Sequence, residues 1–112
     1  MTTPKYHHLG IPTTQVRPGE TYLPQFKMYV SGYGQNPYAI EWMRFEPDCP
    51  LPEMVQKTPH IAFEVDDLAL AIAGKKIVIE SNSPSEGLTV AFIEDNGALV
   101  ELMQWGGGGT EF

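Results

Sequence analysis

The sequence predicts an α+β domain, mostly strand, in which one plan is used twice. Three observations carry that expectation. Short runs of aromatic and β-branched residues alternate with polar ones, and Gly- and Pro-rich turn signals separate them. The second half reads clearly as β-α-β-β-β, and the first half can be laid over it in a shortened form. Each half also carries a histidine in its first strand and a glutamate in its last.

In the first half, Tyr6 to Thr13 alternates as a strand and ends at Pro12 and Thr13. Thr14 to Gln25 carries Pro18, Gly19 and Pro24, so Gly19 to Leu23 is expected to make at most one or two turns of helix. Phe26 to Val30 reads as a strand, Ser31 to Pro37 as a Gly-rich turn, and Tyr38 to Phe45 as a strong strand. Glu46 to Thr58, with Pro47, Pro50 and Pro52, connects the halves, with a vestigial strand expected near Leu51 to Val55.

In the second half, Pro59 to Val65 is a strand. Asp66 is placed to cap a short helix, Asp67 to Ala73, that Gly74 closes. Lys76 to Glu80 is a β-run, Asn82 to Gly87 a turn, and Leu88 to Ile93 a strand. Asp95-Asn96-Gly97 is a hairpin signal leading into the last strand, Ala98 to Gln104. The modules thus run over about 6–45 and 58–104, and the Gly-rich segment 106–112 reads as a flexible tail because no helix follows it.

A chain of 112 residues with 42% hydrophobic content holds one core, so a single domain over 1–112 is expected. Fourteen acidic residues against seven basic ones leave a net charge of −7, which disfavours nucleic acid and anionic membranes as partners. The single cysteine, Cys49, has no partner for an internal disulfide or a thiolate metal site. There is no apolar leader region and no run approaching about 18 apolar residues, so the cytoplasm is the expected location.

The chemistry-bearing residues are His8, Glu41, His60 and Glu101. Each lies in a strand-like run beside apolar residues: Leu9 and Ile11, Ile40 and Trp42, Ile61, and Val100 and Leu102. Successive strand side chains point to opposite faces, so the apolar neighbours can enter a core while the four ligands share the other side. Two imidazoles and two carboxylates without a thiolate suit Zn, Ni, Co, Mn or Fe(II), with room for a bidentate oxygen ligand.

His7 competes with His8, but parity favours His8, which puts Gly10 under the site. Glu64 shares the parity of His60, as a neighbour of the ligands or a rim charge. Trp42, Phe63, Phe92 and Ile61 fit a sheet-to-helix core, while Met43, Phe45 and Met103 share parity with the glutamates and can wall a substrate pocket. Tyr29, Tyr33 and Tyr38 can each bring a hydroxyl to the mouth. Of the two arginines, Arg44 has the parity of Ile40 and Trp42 and points away from the metal side. Few cations near the cleft argue against glutathione adducts, coenzyme A thioesters and phosphonates, and favour a small neutral or weakly anionic oxygen substrate.

The segments His8-Leu9-Gly10-Ile11, Ile40-Glu41-Trp42, Pro59-His60-Ile61-Ala62-Phe63-Glu64-Val65-Asp66 and Asp95-Asn96-Gly97 with Val100-Glu101-Leu102 resemble the glyoxalase, bleomycin-resistance and extradiol-dioxygenase superfamily. The resemblance runs from Tyr6 to Gln104. It implies two βαβββ modules in a curved mixed sheet whose cleft binds a divalent metal through His8, Glu41, His60 and Glu101. It further implies a metal-dependent lyase or isomerase, with Glu41 or Glu101 moving a proton beside a chelated carbonyl, and a homodimer. A non-catalytic binding protein of the bleomycin-resistance type and an extradiol dioxygenase are the other functions it allows. Glu41 counts against the dioxygenase, because a fourth protein ligand fills a position that oxygen and catechol need.

Overall fold

The structure is a computed structural model that describes residues 3–106. Its described residues form eight strands and two short helices, an α+β arrangement dominated by strand. They divide into two compact units, one spanning His8–His60 and the other joining the described parts of Met1–His7 and Ile61–Phe112.

In the His8–His60 unit the strands are β1 (Lys5–Pro12, whose first residues belong to the other unit), β2 (Thr21–Leu23), β3 (Met28–Ser31) and β4 (Ile40–Phe45). Their order is β2-β3-β4-β1, with β1 parallel to β4 and the other pairs antiparallel. The helix expected over Gly19 to Leu23 is absent, and Thr21–Leu23 is strand β2 instead. Thr21-Tyr22-Leu23 has strand-type side chains, and Tyr22 packs against Tyr29, its direct partner in the ladder, with ring centroids 4.7 Å apart and the rings tilted at 45°. The strand expected near Leu51 to Val55 is likewise replaced by helix α1 (Glu53–Lys57). Pro52 at its N-cap lacks only a donor that a helix start leaves unused, Glu53 and Lys57 pair one turn apart, and Val55 is buried.

Register shows which side chains share a face. Gly10 lies opposite Glu41 and Pro12 opposite Met43, so His8, Gly10, Glu41, Met43 and Met28 line one face. That face is the buried one: His8, Gly10, Met28 and Met43 are closed off, while Leu9, Ile11, Ile40 and Trp42 on the reverse are only half-buried. Trp42 therefore does not sit in a sheet-to-helix core. Its face is covered by cations, with the Arg17 guanidinium 3.8 Å from the Trp42 ring centroid and Arg44 stacked 4.0 Å from that of Tyr29.

Arg44 also forks onto Glu20, donating from Nε at 2.8 Å and from its terminal nitrogen at 2.7 Å. The Arg44 hydrogen bonds hold the Glu20 carboxyl below its ordinary value of 4.5. A carboxyl depressed on folding stabilises the fold above that value and loses its contribution as pH falls through the folded pKa. The urea midpoint of the wild type, followed by tryptophan fluorescence, is thus expected to fall more between about pH 6 and about pH 3 than that of Glu20→Gln. Parallel pH curves would show that the fork adds nothing.

The second unit contains β5 (His60–Glu64, its first residue counted with the other unit), α2 (Leu68–Ile72), β6 (Lys76–Ser85), β7 (Leu88–Asp95) and β8 (Ala98–Trp105). The strand order is β5-β8-β7-β6, and β6, β7 and β8 form antiparallel hairpins. Helix α2 is capped by Asp67 rather than Asp66, the Asp67 carboxylate accepting from the Leu70 amide, and Gly74 at φ 74° closes it as expected. Strand β6 continues through the expected turn to Ser85 with three register shifts, so the turn shrinks to Glu86 and Gly87.

Both faces of this unit's strands are packed. Leu68, Ala91, Ile93 and Leu102 form a core on the α2 side together with Phe63 and Val65, as expected for Phe63. Ala62, Val90 and Met103 form a second cluster on the reverse. Ile61, expected in the core, is 42% exposed. Phe92 pairs with Glu101 in the ladder and so lies on the face of Val90 and Met103, away from the helix. No helix among the described residues is long and apolar enough to cross a membrane. The tail expected over 106–112 lies outside the described residues beyond Gly106.

Candidate metal centre

The centre is built on Gly10. A Cβ at this position would stand 2.2, 2.6 and 2.7 Å from Cε1, Nδ1 and Nε2 of His60, so the His60 imidazole rests on the glycine backbone. Next to Gly10 on the same strand and face is His8, and across the parallel ladder is Glu41. His8 Nε2 lies 3.3 Å from His60 Nε2 and 3.7 Å from Glu41 Oε1. Both histidines are closed to solvent, 6% and 2% exposed, and the Glu41 side chain is a quarter exposed.

That spacing fits a divalent cation. Two imidazole nitrogens at about 2.1 Å from one ion and separated by 3.3 Å subtend roughly 105°, between the octahedral and tetrahedral angles. A carboxylate beside His8 and an empty Cβ position under the His60 ring add to a donor set of the kind Zn, Ni, Co, Mn or Fe(II) accept. The structure thus brings His8 and His60 together and sets Glu41 beside His8, on the face that parity assigns to His8 and Glu41. His7 Nε2 lies 3.9 Å from a Glu64 oxygen, so Glu64 is placed beside His7.

Glu101 is half-buried on β8, opposite Phe92, on the face that carries Met103. Met43 and Met103 are buried and Phe45 is half-buried, each with the parity of its glutamate. Both arginines are engaged away from the Glu41 face: Arg44 by Glu20 and Tyr29, and Arg17 by Trp42 and by Ser31, whose Oγ accepts from Nε at 3.1 Å.

Of the three tyrosines that the sequence leaves equal, Tyr33 packs against a ligand residue. Its ring centre lies 5.9 Å from that of His8, edge to face at 75°. Tyr29 is committed to Arg44 and Tyr22, and Tyr38 is 68% exposed. The signal for Tyr33 in the sequence is the Gly32-Tyr33-Gly34 triplet, whose two glycines have φ of 94° and 82°.

No protein-family model matches the chain, and no curated protein matches it. Among solved structures it is similar to the crystal structure of the hypothetical protein BH1468 from Bacillus halodurans C-125, with a TM-score of 0.67 and 19% sequence identity. That likeness covers 92% of this chain and 95% of the other, and at this identity it is a likeness of fold.

Proposed function

We propose that the chain is a glyoxalase-like divalent-metal enzyme acting on a small oxygen-chelating substrate. One observation carries the reading: two buried imidazoles meet at 3.3 Å on a glycine that leaves room for one of them, with a carboxylate beside the first. The ligands we propose are His8 and His60, with Glu41 alongside His8 and Glu101 as the matching glutamate of the second module. The strand plan supports the two-module reading, since in each unit the first strand neighbours the last and the last three form a meander. Among the described residues no helix lies between β1 and β2, and this sets the first module apart from a full βαβββ repeat.

A bound divalent cation supplies Lewis acidity toward a carbonyl or hydroxyl oxygen. The chain's own part is then to orient and to move a proton. His8 and His60, held by strands and by Gly10, fix the donor geometry without side-chain freedom. Glu41, more exposed than either histidine, is the carboxylate suited to take a proton from the carbon next to the chelated oxygen and return it to the neighbouring atom. Phe45, half-buried with the parity of Glu41, supplies apolar surface for the rest of the substrate, which suits a ligand with little charge.

Elemental analysis of the untagged protein after exposure to Ni, Co, Zn, Mn and Fe(II) is expected to find about one ion per chain, lost in His60→Ala. A content below about 0.2 per chain with every metal overturns the reading.

A further inference from the structure

We propose that Tyr33 is the specificity-determining residue of this centre, offering its ring to a planar group carried by the oxygen chelator. The inference rests on the metal reading above. Tyr33 meets the His8 ring at 5.9 Å yet is 45% exposed, so one part of its ring touches a ligand residue while much of the rest faces solvent. A group arriving at the ion beside His8 therefore reaches Tyr33 next.

The loop that carries Tyr33 is fixed. The Asn36 side chain donates from Nδ2 to the carbonyls of Gly32 and Ile40, both at 3.0 Å, and accepts at Oδ1 from the amides of Tyr38 and Ile40 at 3.0 and 3.1 Å. One side chain thus closes the segment between β3 and β4, and the carbonyl of Ala39, at φ 58°, accepts from the Leu9 amide. A loop held this way needs little further ordering when Tyr33 is covered, which favours binding through it.

Charge points the same way. Arg17 and Arg44 are spent on the opposite face, Lys27 reaches Asp48, and Lys57 reaches Glu53. Selectivity at the Tyr33 side therefore comes from aromatic contact rather than from a guanidinium reading a remote anion.

Benzohydroxamate and acetohydroxamate present the same two donor oxygens and differ by a ring, so titrating both into metal-loaded protein by calorimetry tests the assignment. The wild type is expected to prefer benzohydroxamate by about tenfold more than Tyr33→Ala does, with Tyr33→Phe keeping the preference. Acetohydroxamate should bind wild type and Tyr33→Ala alike. A preference that survives Tyr33→Ala overturns the proposal, and so does equal loss of both hydroxamates in a variant with normal metal content, because Tyr33 would then only brace His8. Failure of the metal reading shows separately, as absence of metal before any hydroxamate is added.

Discussion

Gly10→Ala is expected to weaken metal binding by about tenfold to a hundredfold and to destabilise the fold by about 1–3 kcal/mol. The added methyl carbon would overlap three atoms of the His60 ring, the nearest at 2.2 Å. That ring is 2% exposed and already 3.3 Å from His8, so it can yield only by turning its nitrogen away from the shared point. The backbone is not the cause, since Gly10 lies inside β1 and is not among the residues with positive φ; there alanine costs nothing in strand geometry. Metal affinity by competition with a chromogenic chelator, read beside urea denaturation, separates the two effects. Leu9→Ala on the reverse face should lower stability and leave affinity near wild type. A Gly10→Ala protein with wild-type affinity would remove the glycine cradle from the metal reading.

This glycine also shows what a sequence can reveal. Alternation along one strand is enough to set His8 against His7 and to put Gly10 on the ligand side, because period-two parity depends only on local backbone geometry. Parity likewise carries Glu41 and Met43 to the same face, and the ladder pairs Gly10 with Glu41. What it cannot supply is which face a distant segment covers. Leu9, Ile11, Ile40 and Trp42 look like a core, yet they are only half-buried; Arg17 lies on Trp42, and Arg44 on the same face is held by Glu20, 24 residues away.

The two misread short elements have the same origin. Thr21-Tyr22-Leu23 becomes a strand through its ladder with Met28 to Val30, and the proline-rich connector hides a helix start at Pro52 because proline is tolerated there as readily as in a loop. Ile61 and Phe92 depart from expectation for a related reason: the second unit packs both faces of its strands, so an apolar residue says little about which side the helix is on.

Saturation with a bound metal is expected to raise the melting temperature by about 15–30 °C. His8 and His60 are 52 residues apart in the chain, so the unfolded state has no preformed pair and the ion stabilises the folded state alone. At free metal about a thousandfold above Kd the gain is about 4 kcal/mol. Each kcal/mol moves the midpoint of a domain near 100 residues by about 4–8 °C. Thermal melts with and without metal, and with EDTA added back, measure it, and the shift should vanish in His60→Ala. In Glu41→Gln it should shrink but persist, because the two imidazoles remain together while the carboxylate at 3.7 Å is lost as an anion. A wild-type midpoint indifferent to metal and chelator would mean that the pair of histidines is a packed contact with no ion between them.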